Sequence, residues 1–175
     1  MDNCILIKPG TFHAREIAAY RGEMLAAGSP MDGTGILKHT EDVLEWLAYC
    51  LLCENEETVP QGLVAADQFV FVRKADEKIV GMIQLRRRLN NQLREFGGHI
   101  GYSVRPSERR RGYAKRMLKD CLAVCRAKGI SPVLLTCRVQ NEASRRTILA
   151  NGGVYENTVF CEAEGESLER YWITL

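Results

Sequence analysis

The chain has 175 residues, 46% of them apolar and 26% charged, which is a globular composition long enough to bury a core without metals or disulfides. Its 24 Lys+Arg against 22 Asp+Glu leave a net charge of +2, too small for general polyanion binding, which needs several phosphates neutralised at once. The 7 cysteines form an odd, scattered set that suits reduced thiols, and neither a signal peptide nor a transmembrane-length apolar run is present. The expectation is one domain over residues 1–175, cytoplasmic and without a membrane anchor.

Cys4 to Ile7 is a short apolar run that fits a first strand, and residues 12–27 carry helical spacing through Ile17, Tyr20, Met24 and Leu25. Turn formers fill residues 28–35, after which Thr40 is placed to cap a helix with Val43, Leu44, Leu47 and Leu51 on its inner face. Cys50 and Cys53 make a CxxC pair inside that helix, and with no second pair they read as buried small side chains rather than zinc ligands. Residues 69–72 and 79–83 form a hairpin pattern over a polar turn.

A third strand of that run covers residues 98–104, where alternation puts His99, Gly101 and Ser103 on one face and Ile100, Tyr102 and Val104 on the other. Next come a helix over about 112–128 with Gly129 as its stop, a buried strand at 133–137, and a short helix capped by Asn141. Two strands, near 155–162 and 169–174, finish the chain. The order is α+β, a mostly antiparallel arrangement with one parallel step.

The stretch Val104-Arg105-Pro106-Ser107-Glu108-Arg109-Arg110-Arg111-Gly112-Tyr113-Ala114 carries the chemistry: a strand end, a basic turn and a helix start. Backbone N–H groups at a helix N-terminus form an anion cradle reinforced by the helix dipole, and Gly112 removes the Cβ that would block close approach. Arg109, Arg110 and Arg111 can add charge-assisted hydrogen bonds. A solvated basic loop is the plainer reading of an isolated Arg-Arg-Arg-Gly.

This segment resembles the signature of the GNAT superfamily of N-acetyltransferases, whose coenzyme A (CoA) loop reads Q/R-x-x-G-x-G/A, here Arg109-x-x-Gly112-x-Ala114. Its place after the fourth strand and at the opening of the third helix is the one that family uses. Asn141-Glu142-Ala143-Ser144 is similar to the family's helix start after the fifth strand. The longer string from Gly97 to Arg109, with Arg88-Leu89-Asn90, resembles a branch of bacterial predicted acetyltransferases more closely than the superfamily at large.

The resemblance implies an α+β GNAT fold, a mixed, mostly antiparallel central sheet flanked by helices and splayed at strands 4 and 5. It implies acetyl transfer from acetyl-CoA to a primary amine by direct attack in a ternary complex, with no metal. The pantetheine arm would pair with Tyr102, Ser103 and Val104, the pyrophosphate would lie on Arg109, Arg110, Arg111, Gly112, Tyr113 and Ala114, and Asn141 and Ser144 would face the arm. Direct attack needs a neutral amine, so a general base is sought. His99 and Glu95 are the candidates, the first because imidazole titrates near neutrality, although its face on the strand is offset from the usual carboxylate and a structural hydrogen bond within the sheet explains a histidine there equally well.

Where many relatives carry a tyrosine that protonates the departing thiolate, this chain has Ile148, which cannot donate a proton. Either the thiolate leaves with solvent assistance, a thiol of pKa about 8.5 being a tolerable leaving group, or Tyr102, Tyr155 or another hydroxyl substitutes, and a CoA-binding sensor without turnover is the alternative function. The acceptor implied is an amine-bearing small molecule or peptide, and the C-terminal strands leave a homodimer open. The low net charge and lack of an aromatic RNA-binding motif weigh against nucleic acid. Arg86, Arg87 and Arg88 read as a solvated strand edge in preference to an acceptor-side anion site. Glu54, Glu56, Glu57, Glu162, Glu164 and Glu166 either steer a cationic amine or form a plain solvated surface, and Cys137 lies at a strand end beside the expected cofactor gap.

Overall fold

Alternation along the second and third strands builds two cores on opposite faces of one sheet. The structure, a computed structural model, describes residues 3–175. Its first sheet has the order β1-β2-β3-β4, formed by Cys4–Ile7, Ala66–Arg73, Lys78–Arg86 and Ile100–Val104. Phe69 and Phe71 of β2 turn to one side, toward the helix Tyr113–Ala127, whereas Val70 and Val72 turn to the other, toward helices Ala14–Ala26 and Val43–Cys53. We call these helices α3, α1 and α2.

The second sheet has the order β5-β7-β6, from Val133–Arg138, Val154–Cys161 and Glu166–Ile173, with the short helix α4, Glu142–Leu149, between β5 and β6. All five paired neighbours are antiparallel. The expected parallel step between β4 and β5 contains no ladder. It is reduced to a seam at the start of both strands, where the His99 N–H donates to the Leu134 carbonyl at 2.8 Å and the Leu134 N–H donates to His99 Nδ1 at 2.9 Å. Beyond that seam the sheets part, as the splay implied.

Helix α3 is the common floor. Its Met117, Leu118, Cys121 and Cys125 are packed in one cluster with Phe71 and Val80 of the first sheet and with Leu135, Tyr171 and Ile173 of the second. Such a continuous core spanning two sheets is what joins them when no strand ladder does.

Several element boundaries differ from the sequence reading for local reasons. Helix α2 begins at Val43 because Asp42, not Thr40, accepts the Leu44 N–H at 2.8 Å. Residues 93–97, read as loop, form a wide π-type turn, Leu93–Gly97, with Asn90 Oδ1 accepting the Leu93 N–H at 2.9 Å. Gly98 follows at φ +65, a left-handed conformation that glycine tolerates. It delays the start of β4 to Ile100 and turns His99 toward β5.

Candidate active site

The parting of β4 from β5 leaves a cleft of about 1130 Å³, walled by Tyr102, Ser103 and Val104 on one side and Thr136, Cys137 and Arg138 on the other. Because β4 pairs only with β3, one backbone edge of it is open. The bonds to β3 are made at His99 O and Arg105 N, so in an antiparallel ladder the backbone groups of the alternate residues Tyr102 and Val104 turn to the open edge. Val104 O confirms the parity by accepting from Arg109 Nε at 3.1 Å. An extended chain laid along this edge meets the N–H and carbonyl of Tyr102 and the N–H of Val104, the Val104 carbonyl being shared with Arg109.

At the end of β4 the backbone reverses through Pro106–Glu108 and enters α3. Arg110 (φ +63) and Gly112 (φ +79) both take left-handed conformations, and no side chain caps α3 among the described residues. The first-turn N–H groups of a helix have no intrahelical acceptor, so this end faces the cleft as an anion site. A Cβ built on Gly112 meets no atom within 4 Å, so the space before the helix is open. A pyrophosphate fits that donor set.

The turn is fixed from behind by one buried carboxylate, Glu108, and one half-buried carboxylate, Glu23. Glu108 is held by Arg73 at 2.8 Å and Lys78 at 2.7 Å, and the same carboxylate draws Arg111 to 3.2 Å. Glu23 of α1 accepts from the Ser107 N–H and from Arg105 Nε, both at 2.6 Å, and despite its burial these bonds draw its pKa down to about 2.

The expected CoA residues divide into several kinds. Tyr102, Val104, Arg109, Arg110, Gly112, Ala114, Asn141 and Ser144 all line the cleft. Ser103 lines it too, but its hydroxyl is engaged, accepting from Tyr20 OH at 3.0 Å and donating to the Asp32 carbonyl at 2.7 Å. Tyr113 sends its ring into the core, edge-on to Phe71 at 6.4 Å, so only its backbone serves the cradle. Arg111 is turned back to Glu108 and is not part of the cleft wall. Lys115 and Arg146, which the motif did not single out, add positive charge to the wall.

Across the gap, the Tyr102 hydroxyl lies 2.8 Å from Ser144 Oγ, and burial pushes its pKa up to about 12, keeping the proton on oxygen. Asn141 caps α4 by accepting the Ser144 N–H at 3.1 Å, which fixes that partner. Tyr155 lies elsewhere, exposed and bonded to Thr158. Ile148 is fully buried in the α3 core.

Neither expected base faces the cleft. His99 is 7% exposed, its Nδ1 is used by the Leu134 N–H, and burial with the nearby Arg94 and Arg86 charges lowers its pKa to about 4. Its ring borders a separate small cavity with Leu89, Arg94, Pro132 and Trp172. Glu95 is exposed on the π-type turn, where only its neighbours Phe96 and Gly97 reach the cleft. Cys137 does line the cleft, but burial pushes its thiol up to about 11, the opposite of what nucleophilic catalysis needs.

The arginine triplet that begins at the last residue of β3 is neither a solvated edge nor an acceptor site as a unit. Arg86 is drawn in to donate to the Gly97 and Gly98 carbonyls at 3.0 and 3.1 Å, Arg87 pairs with the buried Asp67 at 2.8 Å, and only Arg88 is largely exposed. At the acceptor end the wall includes Asp32, Arg86, Phe96, Arg138 and Glu164. Asp32 and Arg138 were not singled out from sequence. The only signal for Asp32 was its place among turn formers beside Gly33.

A strand pair splayed over an uncapped, glycine-opened helix start defines a class of acyl-CoA-binding folds, and the comparisons agree. The model of the acetyltransferase (GNAT) family matches residues 38–152, and the chain belongs to that family. It is an acetyl-CoA-dependent N-acetyltransferase. A comparison with curated proteins gives no match.

Among solved structures, the ribosomal-protein-S5-alanine acetyltransferase from Vibrio fischeri is 18% identical, with a TM-score of 0.74 over 99% of this chain and 94% of that one. RimJ from Mycobacterium smegmatis, in complex with CoA-disulfide, is 21% identical, with a TM-score of 0.72 over 98% of this chain and 81% of that one. The microcin C7 self-immunity acetyltransferase MccE, in complex with acetyl-CoA and AMP, is 14% identical, with a TM-score of 0.71 over 100% and 94%. At these identities the likeness shows the fold. Among the described residues no helix is long and apolar enough to cross a membrane.

Proposed function

We propose that residues 1–175 form one acetyltransferase domain that moves an acetyl group from acetyl-CoA to a primary amine, by direct attack while both substrates are bound. The observation that carries this reading is the continuity of an open β4 edge with the uncapped first turn of α3. The edge groups of Tyr102 and Val104 would take the pantetheine arm. The first-turn amides of α3, with Arg109, Arg110 and Lys115, would take the pyrophosphate. Asn141 holds Ser144, and through it the Tyr102 hydroxyl, in place.

When bound, acetyl-CoA supplies an activated acyl carbon and a thiol leaving group. Tyr102 is the proton donor to the departing sulfur, taking the part that Ile148 cannot. A hydroxyl with a pKa of about 12 remains protonated at neutral pH and is available to a thiolate formed beside it. His99 acts as a structural clamp between the sheets, since its ring acceptor is occupied and its proton affinity is low.

The test is calorimetric titration with acetyl-CoA, dephospho-CoA and phosphate-free pantetheine, followed by a screen of primary amines for thiol release. Micromolar binding that collapses without the pyrophosphate, together with amide formation, is the expected result. No binding to folded protein would overturn the site. Binding without product from any primary amine would overturn transfer in favour of a CoA-binding sensor.

A further inference from the structure

We propose that Asp32 is the group that takes the proton from the attacking amine, working from the face of β4 opposite to Tyr102. The inference rests on the acetyl-transfer reading above and supplies the base that His99 and Glu95 do not.

Asp32 lies in the connection between α1 and α2, which is laid directly on β4. Gly33 sits at φ +75, and a Cβ there would come within 2.1 Å of the Gly101 carbonyl oxygen, so only glycine permits this approach. Ser103 Oγ donates to the Asp32 carbonyl at 2.7 Å, Gln68 Nε2 donates to the Gly33 carbonyl at 2.8 Å, and Trp46 Nε1 donates to the Thr34 carbonyl at 2.7 Å. The backbone from Asp32 to Thr34 is therefore pinned. Its side chain, 55% exposed, lines the cleft.

The pinning also decides the side of attack. The connection covers the face of β4 that carries Gly101 and Ser103, and side chains alternate along a strand, so Tyr102 points to the other face. A carboxylate and a phenol thus flank the same strand from opposite sides. An amine arriving past Asp32 pushes the leaving group toward Tyr102.

Of the carboxylates in the cleft wall, Glu108 is bound by Arg73 and Lys78, Glu142 by Arg146, and Glu164 by Arg138 at 3.4 Å. Asp32 differs. Among the described residues its carboxyl has no hydrogen bond, and Arg138 of β5 stands 4.0 Å away, beyond hydrogen-bonding distance. The other charged groups facing it are Glu164 from the β6–β7 turn, Arg86 from β3 and Lys38 from the short turn Gly35–Lys38, and its charge also reaches the Tyr102 hydroxyl on the opposite face of β4. The surrounding walls raise its pKa above the usual aspartate value, against the pull of Arg138. That direction suits a base.

The step balances with the residues present. As the neutral amine nitrogen forms its bond to the thioester carbon, it carries a surplus proton, which Asp32 accepts. The C–S bond breaks with its electron pair on sulfur, and sulfur takes the Tyr102 proton. Water returns the proton of Asp32 to the Tyr102 oxygen, so amine and thioester become amide and thiol with both side chains restored.

The test compares wild type with Asp32→Asn and Asp32→Glu, measuring the acetyl-CoA Kd by calorimetry and the pH profiles of kcat and kcat/KM with an amine the wild type acetylates. For Asp32→Asn, kcat should fall on the order of a hundredfold or more, the acidic inflection of the profile should vanish, and the acetyl-CoA Kd should stay within about twofold, the precision expected of a substitution that leaves the cradle intact. Asp32→Glu should restore part of the rate and the inflection. Wild-type kcat with an unchanged acidic limb in Asp32→Asn would overturn the proposal, and so would a loss explained by weakened CoA binding. If the wild type binds acetyl-CoA but acetylates no primary amine, the transfer reading itself falls, and the role of Asp32 falls with it.

Discussion

His99 takes up a proton only near pH 4 in the folded protein, against 6.5 for an unperturbed imidazole, because burial and two neighbouring arginines disfavour the charged ring. Below pH 6.5 the unfolded chain therefore binds the proton more readily than the folded one, and stability falls as pH drops through this window. The full benefit is present above 6.5. At roughly 1.4 kcal/mol for each tenfold change in proton affinity, the interval corresponds to about 3 kcal/mol.

The substitution His99→Asn isolates this contribution. The asparagine amide oxygen stands where Nδ1 stood relative to Cβ, so the buried Leu134 N–H keeps an acceptor, while the titrating ring is gone. Urea unfolding followed by the fluorescence of buried Trp46 gives the stability of both proteins at pH 7 and pH 4, and their difference cancels every other titration they share. The wild type should lose about 3 kcal/mol relative to the variant between these pH values. A constant difference would refute the clamp. So would disappearance of the acidic inflection in kcat/KM on this substitution, since that would return the base to His99.

Three further outcomes are expected. Gly112→Glu should abolish acetyl-CoA binding in a calorimetric titration, since it places a negative side chain into the open space before α3 and strains a residue held at φ +79. Tyr102→Phe should lower kcat by about a hundredfold in a thiol-release assay while leaving the acetyl-CoA Kd nearly unchanged, and an unaltered kcat would remove Tyr102 as the donor. Ile148→Tyr should not raise activity. It should instead destabilise by about 1–3 kcal/mol in urea unfolding, because the position is fully buried and is packed against Gly153.

The sequence made the donor side legible because that side is built from contiguous residues. Alternation from Ile100 to Val104 and the glycine at the head of α3 are local facts, and the structure keeps both. The acceptor side is assembled from pieces far apart in the chain, so Asp32 and Arg138 meet only when the connection before α2 folds onto β4 and β5 passes beside it. Arg86 shows the same limit. A run of three arginines looks solvated until the carbonyls of Gly97 and Gly98 draw the first one inward. His99 turns away from the cleft through one conformational detail, the left-handed Gly98, which takes the next residue out of the alternation and onto Leu134. Arg111 is drawn from the cleft wall by a buried neighbour three residues away, Glu108.

Helix α3 serves as the shared floor of both sheets, and its first turn is also the anion cradle. The grip on the donor is therefore anchored to the core that joins the two sheets, while the distal mouth is framed by two connections, residues 28–35 and 162–165, one from each sheet's half of the chain. In the first connection Ser29 accepts from Arg109 of the cradle and Asp32 and Gly33 are laid on β4, whereas the turn 162–165 makes no bond to the cradle among the described residues, so changes in that turn alter the charge of the mouth and leave the cradle in place. Donor affinity and acceptor choice are thus separable at this turn, and a library confined to residues 162–165 varies the mouth while leaving both Asp32 and the grip on the acetyl donor in place.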